Sequence, residues 1–164
     1  MAYQSAGYYL EEFEIGTCYE SAGRTITEAD VVGFAGLSGD FNQLHMSEEF
    51  ASKTMFGRRI AHGALGLIIA TGLSVQMRVF EGTDIAFLEL TARYTAPLYI
   101  GDTIHLELTP TEIIHSKKPD RGVLKLMARL ITQDGRCVLE SPWSIMMKTK
   151  PNIDADKNER GELI

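Results

Sequence analysis

Two short polar segments, Asp40–His45 and Arg59–Ala64, stand out because they occur where apolar residues would be expected. Asp40 and His45 lie five positions apart in the first segment, on a predicted loop, and they can converge on one water molecule if the loop folds back on itself. A carboxylate and an imidazole whose pKa is near neutral form a suitable acid–base pair. The pair could therefore activate water for addition to a conjugated double bond.

Three neighbouring residues could support such a reaction. Asn42 can fold the loop, because its short amide readily bonds to nearby backbone groups. Gly63 is expected at the start of a helix, where its N–H and the positive end of the helix dipole would face the oxygen of a developing enolate. His62 is expected to be structural rather than catalytic and to bond across to the first loop.

The same residues allow less specific interpretations. Asp40 also suits a turn that follows a helix, and His45 also suits a packed or surface histidine. Asp40, His45 and His62 together match the residue types of a metal site with two histidines and one carboxylate. The histidines lack the close helical spacing that is typical of metal sites, so the sequence predicts no bound metal.

Helix signals flank the first polar segment. Thr27 and Asp30 resemble a capping box with Asp in place of Glu, and apolar residues then recur at helical spacing, which predicts a helix over about 28–38. Gly39 should end that helix, because glycine readily adopts the left-handed conformation. Ser47 is expected to cap a second short helix.

A third helix, predicted over Ala61–Met77, is apolar on most sides and is therefore expected in the middle of the domain. Its uncharged length falls just short of the roughly 18 apolar residues of a membrane-spanning helix, and polar groups interrupt it. Segments rich in β-branched and aromatic residues follow, separated by turn signals such as Asp134-Gly135. The fold class is then α+β, with an antiparallel sheet wrapped around the helix. The predicted strands are Ile85–Ala96, Thr103–His115, Gly122–Thr132 and Val138–Lys148.

The composition is that of an ordinary globular chain. It has 164 residues, 45% hydrophobic and 23% charged, which predicts one domain over residues 1–150 and a polar tail over 151–164. The net charge of −6 disfavours nucleic acid as a partner. Cys18 and Cys137 show no disulfide or metal spacing, and the first residues lack the features of a signal peptide. A cytoplasmic protein without a membrane span is therefore expected.

Three motifs in this order resemble the MaoC-like, or R-specific enoyl-CoA hydratase, family: Gly39–His45, Ile60–Gly63 and Tyr94–Thr103. The resemblance covers roughly Phe13–Lys148. It implies a hot-dog fold, a sheet wrapped around one long central helix, and a homodimer or a homo-oligomer of dimers whose interface forms the acyl-CoA tunnel. It also implies a hydro-lyase of fatty acid metabolism, which adds water to a trans-2-enoyl thioester to give an R-3-hydroxyacyl thioester or catalyses the reverse dehydration.

Two residues depart from the family pattern. Gln43 stands where the family usually has proline, which would loosen the loop and alter its geometry. Thr71 stands where a helix serine often supports the site, and it keeps the hydroxyl. Neither change removes a reacting group. The resemblance places the family's other roles on matching residues: the catalytic pair on Asp40 and His45, the loop asparagine on Asn42 and the oxyanion glycine on Gly63.

The sequence leaves the substrate contacts and the activity partly open. Lys117 and Lys118, in a predicted turn, would suit the phosphates of coenzyme A, and a solvated hairpin has the same composition. Hot-dog folds also host thioesterases, so an acyl-CoA thioesterase and a non-catalytic acyl-CoA-binding protein are the alternatives. Coenzyme A would be part of the substrate, and no separate cofactor is expected.

Overall fold

An antiparallel sheet and one long helix make up most of the structure, a computed structural model that describes residues 7–151. A short 3₁₀ helix, Leu10–Glu12, precedes the other elements. The helices are α1 Glu28–Ser38, α2 Gln43–Met46, α3 Glu48–Ala51 and α4 Gly63–Gln76. The strands are β1 Tyr19–Glu20, β2 Arg24–Thr25, β3 Asp84–Leu90, β4 Arg93–Tyr94, β5 Thr103–His115, β6 Arg121–Thr132 and β7 Cys137–Lys148. The sheet runs in the order β1-β5-β6-β7-β3, with β2 also paired to β5 and β4 to β7.

The three long strands β5, β6 and β7 alternate between buried and more exposed residues along most of their length. Successive side chains of a strand point to opposite faces, so this alternation gives the sheet one apolar face and one polar face. The apolar face forms the core together with α4. Its fully buried large side chains include Ile104, Leu106, Leu108, Leu124, Leu126, Leu130, Leu139 and Trp143.

α1 begins and ends as predicted. The Asp30 N–H donates to the Thr27 hydroxyl at 3.2 Å, and the Thr27 N–H donates to the Asp30 carboxylate at 2.8 Å, which completes the capping box. Gly39 has a φ of 79° and its N–H donates to the Ala35 carbonyl at 2.8 Å. This left-handed residue turns the chain out of the helix and directly into the segment that carries Asp40.

α4 packs against the apolar face of the sheet with only one of its sides. Leu65, Ile69 and Leu73 on that side are buried in the core. On the opposite side, Ile68 is 53% exposed and Val75 is 71% exposed. The predicted central helix is therefore confirmed for its position, but the prediction that it is buried holds for one side alone. Within the described part of the chain, every helix is too short or too polar to cross a membrane.

The predicted α+β architecture is confirmed, with two corrections. The first predicted strand, 85–96, is divided into β3 and β4. The division faces Pro142 of β7, which has no N–H to donate, and the Ser141 hydroxyl donates instead to the Thr91 carbonyl at 2.6 Å. The second correction is α2, which occupies part of the predicted loop. The polar tail beyond residue 151 lies outside the described residues and stays a prediction.

Candidate active site

The segment after α1 is folded by hydrogen bonds between side chains and backbone groups that are close in sequence. The Asp40 N–H donates to the Ser38 hydroxyl at 3.2 Å, and the Asn42 N–H donates to the Asp40 carboxylate at 3.2 Å. The Asn42 side-chain oxygen then accepts from the Leu44 N–H at 2.9 Å and caps α2. The predicted role of Asn42 in folding this segment is confirmed.

Gln43 is the first residue of α2, and this position explains why the departure from proline is tolerated. The N–H of a first helical residue has no intrahelical acceptor, so proline and other residues are interchangeable there without loss of a helix hydrogen bond. Asn42, the residue before it, has φ −54° and ψ 135°, a conformation that a following proline favours. The geometry of the segment is therefore one that a proline at position 43 would also allow.

His45 lies on α2 and is half-buried. Its Nδ1 is 2.8 Å from the carbonyl oxygen of Ile60, the residue that opens the second polar motif. A carbonyl oxygen can only accept, so Nδ1 carries the hydrogen, and the neutral ring then presents a lone pair at Nε2. His45 is thereby held in the tautomer that can accept a proton at Nε2.

His62 anchors the two polar segments to each other. It is only 2% exposed, and its Nε2 is 2.9 Å from the backbone oxygen of Asp40, to which it donates. Its ring lies against the ring of His45 at a centroid distance of 3.8 Å and against that of Phe34 at 4.9 Å. The predicted bond across to the first loop is confirmed. Among residues 7–151, the buried Nδ1 of His62 has no hydrogen-bond partner.

Asp40, His45 and His62 form one cluster. A carboxylate oxygen of Asp40 and one ring nitrogen of each histidine all lie within 4.8 Å of one another. Two groups at such a distance can share one water molecule, since each hydrogen bond to water is about 3 Å long. The same cluster is also the ligand set of the metal site that the sequence left as an alternative. The structure thus brings together the acid–base pair that the sequence indicated.

Gly63 begins α4 directly beside this cluster. His62 is the N-cap and contributes no side-chain cap to α4, and the first N–H groups of any helix lack intrahelical acceptors. A Cβ atom at Gly63 would lie 2.9 Å from Cε1 and Cζ of Tyr94, so a larger residue would displace that ring. Glycine at this position therefore allows Tyr94 to approach the start of the helix. The N–H of Gly63 stays available to a carbonyl oxygen.

A cavity of about 600 Å³ opens beside the start of α4. His62 and Gly63 form part of its wall, and Tyr94 to Leu98 form another part. Most of the lining is apolar, as a site for a hydrocarbon chain requires. Asp40 and His45 do not line the cavity themselves within one chain, but His62 connects them to it. The remaining lining residues are Phe56, Ile60, Ala61, Ala64, Gly66, Leu130, Val138 and Leu139.

Three residues proposed from the sequence lie away from this cluster. Thr71 is eight residues beyond Gly63 in α4, about 12 Å along the helix, and its hydroxyl donates to the Ile68 carbonyl at 2.8 Å. Lys117 and Lys118 lie in the turn between β5 and β6. The cavity touches the other end of β6, nine residues and about 30 Å from this turn. Within one chain, these two lysines therefore lie far from the cavity, and their contact with coenzyme A phosphates stays a prediction.

Arg59 has a structural role that the sequence did not reveal. Its guanidinium donates to the Glu28 carboxylate of α1 at 2.8 and 2.7 Å and to the Glu48 carboxylate of α3 at 3.3 Å. The hydrogen-bonded pair with Glu28 raises the pKa of the Arg59 guanidinium above its ordinary value. Arg59 thus ties the stretch of chain that leads to His62 onto α1 and α3. The sequence gives no indication of this, because the partners are 31 and 11 residues away.

The sequence model of one protein family, described as MaoC like domain, matches residues 12–128 of this chain. The chain belongs to the MaoC-like domain family. The match spans both polar segments, α4 and most of the sheet. This MaoC-like chain is 37% identical over 115 residues to a 3-hydroxybutyryl-CoA dehydratase of Methylorubrum extorquens, with 69% of this chain and 70% of the relative covered. It is 31% identical to an (R)-specific enoyl-CoA hydratase of Rhodospirillum rubrum, with 87% of this chain and 94% of the relative covered.

The hot-dog fold that the resemblance implied is confirmed by a solved structure. A conserved hypothetical protein from Mycobacterium tuberculosis with a double hotdog fold superposes with a TM-score of 0.75 at 18% identity, over 92% of this chain and 47% of that chain. The names of the two sequence relatives also agree on one class of enzyme. The MaoC-like chain is a hydro-lyase, as predicted.

Proposed function

We propose that this MaoC-like chain hydrates a trans-2-enoyl-CoA to an R-3-hydroxyacyl-CoA and catalyses the reverse dehydration. The proposal rests on one observation, the convergence of the Asp40 carboxylate and the His45 ring beside the start of α4. The apolar cavity next to Gly63 supports an acyl substrate. The two relatives named for CoA thioesters support coenzyme A as the carrier.

The proposed reaction returns each protein group to its starting state. One O–H of a water molecule donates to the Asp40 carboxylate and the other donates to Nε2 of His45, so an oxygen lone pair faces C3 of the substrate. As the C3–O bond forms, the acid–base pair takes one proton from the water and the C2=C3 electrons move toward the thioester carbonyl. The N–H of Gly63 stabilises the enolate oxygen. The pair then returns a proton to C2 on the same face, which completes a syn addition.

Replacement of Asp40 by Asn tests the role of the carboxylate. Asn keeps the side-chain oxygen that accepts from the Asn42 N–H, so the segment should stay folded, while the basic group is lost. We expect kcat with crotonyl-CoA, followed by loss of the conjugated absorbance, to fall by about 10²- to 10⁴-fold. An unchanged kcat in a folded variant would remove Asp40 from the mechanism.

Three controls separate this reaction from the alternatives. Chiral analysis of the product should give the R alcohol, and an S product would contradict the proposed face of addition. A thiol reagent should detect no free coenzyme A, since thiol release would indicate a thioesterase. Incubation with a chelator should leave the rate unchanged, whereas a loss of activity that is restored by a divalent cation would favour the metal alternative at Asp40, His45 and His62.

We also propose that the enzyme works as a homodimer. The outer side of α4 carries exposed apolar residues, and β3, which ends the main path of the sheet, presents Ile85, Phe87 and Leu88 as exposed residues. A large exposed apolar surface beside an unpaired strand edge is typical of a protein interface. A second copy at β3 would extend the sheet and cover α4.

Size-exclusion chromatography with light scattering tests the dimer. We expect about twice the chain mass of 18.2 kDa. Val75→Glu, which places a charge on the exposed side of α4, should shift the protein toward a monomer, and Lys125→Glu on the polar face of the sheet should not. A wild-type protein that is monomeric at all concentrations would contradict the proposal.

The cytoplasm is the proposed location of the enzyme. Cys18 and Cys137 are both free thiols, as a reducing compartment would keep them. Cys18 is exposed, so an oxidising compartment would leave it open to modification.

A further inference from the structure

Arg58 places a cation over an aromatic ring next to the cavity. Its guanidinium carbon lies 4.0 Å from the centroid of the Tyr99 ring. Such stacking holds the planar guanidinium by its face and leaves its N–H edge free to donate. Arg58 is exposed, and it forms no salt bridge with any residue in the described range 7–151. It is therefore an oriented cation whose charge is not neutralised by a carboxylate.

The neighbouring arginines differ from Arg58 in this respect. Arg136 also lies near Tyr99, at 5.6 Å from the ring centroid, but it is paired with Asp102 at 3.0 Å and Asp134 at 3.5 Å. Arg59 is paired with two glutamates, as described above. Only Arg58 of these three has its charge available for a ligand within the described structure.

The position of Arg58 at the rim of the cavity is fixed by its neighbours. Phe56 and Ile60, two residues before and after it, both line the cavity. The Tyr99 hydroxyl donates to the Phe56 carbonyl at 3.3 Å, and Tyr99 forms a β-bridge with Ile60. Arg58 is five residues from Gly63, a length of chain that spans at most about 18 Å. A substrate whose carbonyl lies at Gly63 could therefore extend a long polar tail to Arg58.

We propose that Arg58, stacked on Tyr99, binds a phosphate group of the pantetheine tail of the thioester substrate. This inference rests on the proposed function, because it assumes that a phosphorylated pantetheine thioester occupies the cavity. The planar guanidinium can donate two parallel hydrogen bonds to phosphate oxygens. On a chain with a net charge of −6, one free arginine at the rim also attracts an anionic tail that the rest of the surface repels. The assignment is an alternative to Lys117 and Lys118 as the phosphate contact.

The experiment compares three crotonyl thioesters that share the reacting group but differ in phosphate content. These are crotonyl-CoA, crotonyl-4′-phosphopantetheine and crotonyl-pantetheine, which has no phosphate. For Arg58→Gln we expect KM for the phosphorylated thioesters to rise about tenfold, with kcat unchanged, because a charge-assisted hydrogen bond made outside the reacting centre is lost. KM for crotonyl-pantetheine should stay the same. Arg58→Lys, which keeps the charge but loses the two parallel N–H donors of the guanidinium, should give an intermediate KM for the phosphorylated substrates.

The two phosphorylated substrates identify which phosphate is bound. A KM rise with both means that Arg58 contacts the pantetheine phosphate, which a carrier-protein thioester would also provide. A rise with crotonyl-CoA alone assigns Arg58 to the nucleotide part of coenzyme A. Lys125→Gln, which removes one positive charge from the polar face of the sheet, is the matched control and should change no KM. The double variant Lys117→Gln and Lys118→Gln tests the rival contact.

Two results would overturn the assignment. One is an equal KM rise for crotonyl-pantetheine, since Arg58 would then act without a phosphate. The other is a KM for crotonyl-CoA that rises in the lysine double variant and stays unchanged in Arg58→Gln. If the wild-type protein turns over none of the three thioesters, the proposed function fails. Calorimetry of coenzyme A binding then tests whether Arg58 contacts a phosphate. About tenfold weaker binding by Arg58→Gln would then support the phosphate site, and equal binding would contradict it.

Discussion

The centre of the sheet and the segment from Gly39 to Gly63 are built in opposite ways. β5, β6 and β7 pair with each other over 11 positions at each boundary, and their inner side chains are almost fully buried. The segment has two helices of four residues, and its two histidines are each held by one hydrogen bond to a backbone carbonyl. The sheet therefore provides most of the stability of the domain, and the segment determines its chemistry.

This difference means that stability and activity should respond to different substitutions. Removal of a core side chain leaves a cavity and removes packing contacts from many neighbours, whereas loss of one hydrogen bond in the segment moves only the group that it held. Arg59 supports the separation, because it ties the segment to Glu28 of α1 and to its own Glu48 by side-chain bonds rather than through the core.

The largest expected loss of stability comes from the core. Leu126→Ala removes a side chain that is fully buried on β6 and should lower the free energy of unfolding by about 2–5 kcal/mol. Leu126 does not line the cavity, so kcat per folded molecule should stay the same. Urea unfolding and kinetics below the transition measure both. Lys125→Ala, the neighbouring substitution on the polar face, should lower the free energy of unfolding much less. A fall of kcat in a folded Leu126→Ala would show that core and site are coupled.

The sheet and α1 could be predicted from the sequence because their signals are local. Segments rich in β-branched and aromatic residues between turn signals predicted the long strands to within one residue at each end, and the pair Thr27 and Asp30 predicted the start of α1. The predicted strand 85–96 was wrong in one place, since its break depends on Pro142 in a distant strand. Pairing partners are not visible in a single sequence.

The site could be predicted only in part for the same reason. The roles of Asn42 and His62 follow from residue type and from their place in the two motifs, and the structure confirms their contacts. The bond of His45 to the Ile60 carbonyl and the stacking of Arg58 on Tyr99 join groups that are 15 and 41 residues apart. No spacing rule connects such pairs.

His62→Phe separates the role of anchoring from the role of packing. Phenylalanine keeps a ring against His45 and Phe34 but cannot donate to the Asp40 carbonyl, which lies 2.9 Å from Nε2 of His62. Since misplacement of a catalytic group by about 1 Å can cost about 10²-fold in rate, we expect kcat to fall by about 10²-fold and KM to change little. The free energy of unfolding should change by less than about 1 kcal/mol, because the variant also removes the buried Nδ1 that has no partner within residues 7–151.

A steady-state assay and a urea titration of the same preparation decide this prediction. If His62→Phe lost stability and activity in proportion, His62 would be a core residue rather than a positioning residue. His62→Gln is the matched variant, because its side-chain amide can donate to the carbonyl of Asp40 although it lacks the ring. Recovery of kcat in His62→Gln above that of His62→Phe would identify the hydrogen bond as the feature that matters.

The smallest expected effect is a gain in stability at Gln43. Asn42 already has the conformation that precedes proline, and Gln43 is the first residue of α2. Gln43→Pro should therefore raise the free energy of unfolding by about 0.4–1 kcal/mol by restricting the unfolded chain, with kcat unchanged. Leu44→Pro, one residue later, removes the N–H that donates to the Asn42 side chain at 2.9 Å and should lower kcat instead. If both prolines had the same effect, the segment would not be held by the individual bonds described here, and its order would have to come from the core or from a second subunit.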